Sequence, residues 1–345
     1  MPVVPNLMER MALLRLNLAP GVMLDFLGAQ AFRAACAAHN LGVFAALVGP
    51  PLTTAEVAAR VDADPRGMTI LLEALAALGY VRRQGERFTN SAMTAKWMPL
   101  LGEGMPFFHD LLHEEWSHLE QSIRTGRPAM PGYEAWLGND ARRWKVFQDG
   151  MLAIARMGAD DIVAKVKVPR NARRLLDVGG GHGLYSVRFC RRHPGLTATI
   201  FDLPQGLESA RRTIATEQMG DRVGMQEGDF TRDELGTNYG VVLLFNILHS
   251  RQPDGNVELL RKVARALVPG GIVVIMGQLP DSASSAVGEA VSRLQALNMF
   301  NAEAAEAYPY EDIAGWLATA GLAGVRRLRL RKSPGFALVL GTKPS

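Results

Sequence analysis

Cysteine is nearly absent. Cys36 and Cys190 are the two in 345 residues, too few for a disulfide framework and without the clustered spacing of a metal site. Each sits in an apolar helical pattern, where a free thiol behaves as a small hydrophobe. Long apolar runs are missing as well: no stretch reaches the roughly 18 residues of a membrane span. The N-terminus lacks the charged start, apolar core and small-residue cleavage site of a secretory leader, so the expected location is the cytoplasm. Nor does one sign of charge dominate. Lys and Arg number 38 against 34 Asp and Glu, and they are scattered rather than gathered into the basic face that nucleic acid binding needs. What remains is 48% hydrophobic and 21% charged, the composition of a soluble protein with a real core. At roughly 150 residues per domain the length predicts two domains.

The two halves differ in texture, with a predicted division into 1–100, 101–172 and 173–345. Residues 29–47 read as one long apolar helix. Thr53 followed by Glu56 three residues on is a capping box that starts a second helix. Asp64-Pro65 starts a third, with Met68, Leu71, Leu72, Leu75 and Leu78 on one face and a stop at Gly79. Two short strands follow, 80–83 and 87–89, joined by Gln84-Gly85-Glu86. Three helices and a hairpin make a winged-helix order, whose obvious use is DNA binding. The third helix offers only Arg66 and Glu73 as charged residues, however, where a reading helix needs several basic or amide side chains. A dimerisation domain with an apolar contact surface is the expectation, and nucleic acid is not an expected partner.

Residues 105–170 read as helical and are rich in Met and aromatic residues. Such a stripe is core or pocket, and its place between domains favours a pocket. Trp116, Phe147 and Met151, with Met299 from a later helical run, are the candidate substrate-binding residues. His109 and His113 have the four-residue spacing of helical metal ligands, with His118 beyond, but no third ligand accompanies them and no metal is expected.

From residue 173 onward apolar β-type runs alternate with helical runs, which signals a mostly parallel sheet covered by helices. A buried strand, 175–178, runs into Gly179-Gly180-Gly181-His182-Gly183 and then a helix, 184–192. Glycines there let a ligand press on the backbone, and the helix supplies unpaired N–H groups. A dinucleotide loop spaces its glycines GxGxxG, whereas here they fall at 179, 181 and 183 with Leu184 after them. The second strand ends in Asp202, whose carboxylate can hold both ribose hydroxyls of an adenosine, in NAD or in another nucleotide. The third leads into Gly228-Asp229-Phe230, where the acid can accept from an exocyclic amine and the ring can cover adenine. The last two β-like runs, 325–331 and 336–341, are joined by Ser333-Pro334-Gly335. A terminal hairpin makes the last strand antiparallel, unlike a dinucleotide-binding sheet. The fourth strand, 241–245, ends in Asn246-Ile247-Leu248-His249, on the edge where open α/β sheets bind ligands. A helix over 256–267 and a turn at Pro269-Gly270-Gly271 lead to a fifth strand, 272–276.

Taken together, the winged-helix start, LLDVGGGHG at 175–183, FDLP at 201–204, GDF at 228–230, NILH at 246–249 and VPGG at 268–271 resemble the caffeic-acid-type, or family 2, O-methyltransferases of the class I superfamily. The resemblance covers nearly the whole chain. It implies a Rossmann-like seven-stranded α/β sheet with an antiparallel last strand, behind a mostly α N-terminal winged-helix domain that forms a homodimer. It implies S-adenosylmethionine (SAM) as cofactor, with Asp177, Gly179, Gly181, Asp202, Leu203, Gly228, Asp229, Phe230 and Asn246 in the motifs that hold it. His249 is implied as general base acting on a small aromatic or polyketide-like molecule.

The chain departs from the family pattern around that histidine. Ser250-Arg251 stand where Asp-Trp follows it in the family, Phe245 replaces a Lys, and Met276 occupies the position of a Glu that orients the imidazole; Glu303 and Glu306 are possible substitutes at shifted positions. Without that Glu the acceptor widens from oxygen to carbon or nitrogen, and a SAM-fold protein that has lost methyl transfer is a competing reading.

Overall fold

The structure is a computed structural model that describes residues 7–11, 16, 21–280, 286–303, 307–330 and 335–345. Glu306, Arg331, Ser333 and Pro334 lie outside the described residues. The chain divides into two compact units, Met1–His109 and Asp110–Ser345.

In the first unit the predicted helix 29–47 is longer and broken. It runs from Gly21 to Asn40, and a short helix Val43–Ala46 follows. The break is at Gly42, whose φ of 80° is open to glycine and strained for other residues. The capping box is present: Glu56 N donates to Thr53 Oγ1 at 3.3 Å, and Thr53 N donates to Glu56 Oε2 at 2.7 Å. Asp64 caps the helix Pro65–Ala77, accepting from Gly67 N at 2.9 Å. The hairpin strands are β2 (Val81–Gln84) and β3 (Arg87–Asn90). A strand the sequence did not announce, β1 (Leu52–Thr53), pairs with β3 to give the antiparallel order β1-β3-β2. Met68, Leu72 and Leu75 bury the predicted face against Phe44, Val57 and Phe88, with Leu71 half-buried beside them.

The second unit is built on seven strands: β4 (Arg174–Val178), β5 (Thr197–Asp202), β6 (Val223–Glu227), β7 (Tyr239–Phe245), β8 (Leu267–Gln278), β9 (Ala323–Arg329) and β10 (Phe336–Thr342). Their order is β6-β5-β4-β7-β8-β10-β9. The first five pair in parallel, and β10 runs antiparallel to both β8 and β9. Every residue of β7 is buried, as befits a central parallel strand covered on both faces. Helices Ala141–Lys165, Leu184–Arg192 and Pro204–Thr216 share a core with one face of the sheet. Helices Pro253–Ala266 and Tyr310–Thr319 cover the other.

One boundary differs. Pro269-Gly270-Gly271, read as a turn, lies inside β8, which begins at Leu267. The ladder to β7 shifts register between Tyr239 and Val241, an irregularity that tolerates Pro and Gly in a strand. Residues 110–165 are helical but interrupted. A π-type turn spans Leu111–Glu115 and a 3-10 turn Trp116–His118, so His109, His113 and His118 do not share one regular α-helix.

Candidate active site

The motif residues converge because the sheet is parallel: β6, β5, β4 and β7 all end on one edge. Gly228 follows β6, Asp202 closes β5, the glycine loop follows β4, and Asn246 to His249 follow β7. Gly179 is the junction. Its φ is 64°, and a β-carbon there would overlap Ile247 Cδ1 and stand 3.6 Å from Phe230 Cε1. One glycine thus touches the loops after β7 and β6 at once.

Asp202 is tied to this loop. Its Oδ2 accepts from Gly181 N and its Oδ1 from Leu203 N, each at 2.7 Å. Burial raises its pKa to about 6, against the pull of those two N–H groups. Asp177 lies beneath the loop, 1% exposed. Ser186 Oγ donates to its Oδ2 at 2.8 Å, while Oδ1 is buried with no hydrogen-bond partner among the described residues. Burial lifts its pKa to about 7; the Ser186 bond opposes this and the Asp202 charge adds to it. A buried acid with an open acceptor favours a cationic or protonated partner. Beside it, His182 Nδ1 accepts from Leu184 N at 3.1 Å, capping the next helix, and burial depresses the His182 pKa to about 4.

After β6, Gly228 has no room for a side chain, because a β-carbon would overlap the Phe201 ring. Asp229 is pushed up by burial. That is outweighed by donation to its Oδ1 from Thr231 N at 2.8 Å and Thr231 Oγ1 at 2.6 Å, and by the charges of Arg232 and Arg251, so its pKa is lowered. The Phe230 ring is half-buried, with the Arg251 guanidinium 5.6 Å from its centroid. The departure at position 251 therefore places a cation on the aromatic expected to cover adenine. Sequence reasoning missed Lys262, which is buried and donates to the carbonyl oxygens of Phe230 (3.3 Å), Thr231 (3.3 Å) and Asp233 (2.9 Å).

At the end of β7, Asn246 turns the chain with a φ of 57°, a left-handed conformation that Asn tolerates better than most residues. Its N–H donates to Met276 O at 2.8 Å. His249 sits in the 3-10 turn Leu248–Ser250, held by Asn256 Nδ2 donating to Leu248 O at 2.9 Å and Ser250 Oγ to Ile247 O at 3.0 Å. The imidazole is half-buried and has no hydrogen-bond partner among the described residues. Burial lowers its pKa to about 4. Met276, at the position of the family's Glu, is packed in the core.

Trp116 and Phe147 meet at one polar cluster, built on Glu115, Tyr133 and Asn298. Trp116 Nε1 donates to Asn298 Oδ1 at 2.6 Å, beside Met299 on the helix Ala286–Glu303. Tyr133 OH donates to Glu115 Oε2 at 2.6 Å, and the Tyr133 ring lies 5.2 Å from that of Phe147. Met151 is one turn further along the Phe147 helix, on the same face. Glu115 is 1% exposed. Burial lifts its pKa to about 7, opposed by the Tyr133 bond and reinforced by Glu303, Glu114 and Asp110. Glu303 thus acts electrostatically on Glu115. Among the described residues no group of three His, Cys, Asp or Glu side chains is arranged to hold a metal.

The glycine loop at the sheet edge, with a buried, partly unsatisfied acid beneath it, fits an adenosine carrying a cationic tail. Comparison with known proteins agrees. Residues 116–323 match the family described as O-methyltransferase domain, and residues 23–99 match the O-methyltransferase dimerisation domain. A 3-hydroxy-5-methyl-1-naphthoate 3-O-methyltransferase from Streptomyces sahachiroi is 30% identical over 89% of this chain and 90% of its own. The tetracenomycin polyketide synthesis 8-O-methyl transferase of Streptomyces glaucescens is 28% identical over 90% and 93%. Among solved structures, an O-methyltransferase family protein from Burkholderia thailandensis has a TM-score of 0.76 at 29% identity, covering 95% of this chain and 99% of that one. Human N-acetylserotonin methyltransferase in complex with SAM shares the fold over the full length of both chains, with a TM-score of 0.81 at 21% identity. With a family match over more than half its length and that glycine loop at its sheet edge, the chain belongs to the SAM-dependent O-methyltransferases.

Proposed function

We propose that this enzyme methylates a hydroxyl of a flat aromatic or polyketide-type molecule, with His249 taking the proton, and that it works as a homodimer. The observation that carries the proposal is the order of the sites along the sheet edge. Phe230 and Asp229 after β6, Asp202 at β5, the glycine loop after β4 and His249 after β7 are successive stations. Strands are about 4.8 Å apart, so Phe230 and Asp202, holding an adenine and a ribose, would leave the sulfur end on the His249 side of the sheet edge.

Bound there, SAM supplies a methyl group already activated by a positively charged sulfur. The chain's task is to align the acceptor and exclude water, worth about 7–11 kcal/mol where alignment is good. With its pKa near 4, the His249 imidazole is neutral and able to accept a proton throughout the physiological range. It is a weak base, and full transfer from an ordinary phenol of pKa about 10 is uphill by about 8 kcal/mol. Proton loss therefore accompanies methyl transfer, and the favoured acceptor is a hydroxyl acidified by a conjugated carbonyl or fused ring. The hydroxynaphthoate and tetracenomycin named for the two Streptomyces relatives are of that kind.

Support for the dimer comes from the matched dimerisation region and from Val22, Met23, Phe26 and Leu27, exposed together on the helix Gly21–Asn40. The unpartnered imidazole favours a second reading, methylation at carbon or nitrogen, where less base help is needed.

The test is methyl transfer from labelled SAM to a panel of hydroxylated fused-ring aromatics, with the methylated atom assigned by NMR. O-methylation is expected, with turnover falling about 10²–10⁴-fold in His249→Ala while SAM affinity holds. The acidic limb of kcat/KM is expected well below pH 6.5. Unchanged turnover in the variant removes His249 as the base, and a C- or N-methyl product establishes the second reading.

A further inference from the structure

We propose that Gln148 is a cofactor-binding residue, its side-chain carbonyl accepting a hydrogen bond from the α-ammonium at the amino-acid end of SAM. This rests on the cofactor placement proposed above and goes beyond it, since no glycine-loop, acid or histidine motif includes position 148.

Gln148 belongs to the long helix Ala141–Lys165. It is 6% exposed, and its Oε1 is fully buried with no hydrogen-bond partner among the described residues. Buried amide oxygens are almost always satisfied, and an orphaned one calls for a missing partner. Its position says which partner. A β-carbon built on Gly181 would stand 2.8 Å from Gln148 Oε1 and 3.2 Å from Nε2, so the amide lies against the middle of the glycine loop. The helix is locked in this rotation by the next residue: Asp149 is buried, accepts from Arg212 Nη2 at 3.1 Å and is bridged by Lys145.

The loop follows β4, one strand beyond Asp202 on the side away from Phe230. A cofactor with its ribose on Asp202 therefore brings its amino-acid end to this loop. That end carries an ammonium and a carboxylate. The loop and the helix after it offer N–H donors, which suit the carboxylate. The ammonium needs acceptors, and among the described residues the orphaned acceptors at the loop are Asp177 Oδ1 below it and Gln148 Oε1 against Gly181.

The experiment is calorimetric titration of the full-length protein with S-adenosylhomocysteine and with 5′-methylthioadenosine, which lacks the amino-acid end. Gln148→Leu removes the acceptor at similar volume, and Gln148→Glu keeps an acceptor there. Thermal melts confirm that each variant folds. Gln148→Leu is expected to weaken S-adenosylhomocysteine by about 10- to 100-fold and leave methylthioadenosine within about twofold, with Gln148→Glu much nearer wild type for both. Equal losses for the two ligands would show that Gln148 only shapes the loop, and no loss for either would remove it from the site; both overturn the assignment. Wild-type protein that binds neither ligand would overturn the cofactor placement as well, and is distinguished by that.

Discussion

Lys262 Nζ donates to the Phe230 carbonyl oxygen at 3.3 Å from inside the protein. The same ammonium holds the carbonyls of Thr231 and Asp233, so one cation on the helix Pro253–Ala266 fixes the loop that carries the proposed adenine contacts. Hydrogen bonds to charged groups are worth about 1.5–3 kcal/mol. Lys262→Met is expected to lose about that much stability in thermal or denaturant unfolding. It is also expected to bind S-adenosylhomocysteine more weakly, because the Asp229-Phe230 pair is released. Full affinity in a folded variant would show that the loop holds its shape unaided.

Gly179→Ala attacks the junction of three loops. The backbone is left-handed there, and the added methyl meets Ile247. A non-glycine residue in that conformation costs about 1–2 kcal/mol, and the collision pushes Ile247, two residues from His249, off its position. We expect cofactor binding to fall tenfold or more by calorimetry. Adding Ile247→Val removes the colliding Cδ1 and is expected to restore part of it; no recovery would place the whole effect in the backbone.

Glu115 predicts how stability changes with pH. Its pKa rises from 4.5 to about 7 on folding, so between those values the folded state holds a proton that the unfolded state has lost. Stability from this group is full below about pH 4.5 and is lost as pH climbs through 7, by at most about 3 kcal/mol. Glu115→Gln cannot titrate and still accepts from Tyr133. Its stability relative to wild type is expected to improve between pH 5 and pH 8 by about 1–3 kcal/mol in denaturant melts. A difference that does not vary with pH would show that Glu115 is already ionised in the fold.

Phe26→Glu places a charge in the exposed apolar row Val22, Met23, Phe26 and Leu27. Light scattering is expected to show the wild type as a dimer and the variant as a monomer at micromolar concentration. A dimeric variant would move the interface elsewhere.

Local chemistry made much of this molecule legible. Glycine punctuation and helical period place the helix 184–192 where it lies, and Thr53 and Asp64 are caps whose partners sit three residues away. The readings that missed depended on distant residues. Pro269 and the two glycines after it carry the local signature of a turn, but Gly270 N donates to Lys343 O and Lys343 N to Gly271 O, each at 2.9 Å, and these bonds keep them in β8. β1 is two residues long and exists because β3 pairs with it. In the site, Asp202 and the glycine loop were readable from spacing. Gln148, Lys262 and the Glu115–Tyr133 pair were not, because nothing adjacent in sequence tells a buried polar side chain from a solvated one.

The backbone bond from Asn246 N to Met276 O has a consequence for how this protein can change. The exit of β7 is moored to a main-chain oxygen, which every amino acid at position 276 provides. Methionine there, in place of an acid, leaves that bond to the turn unchanged. A change of side chain at that position therefore leaves the loop that carries His249 moored as before.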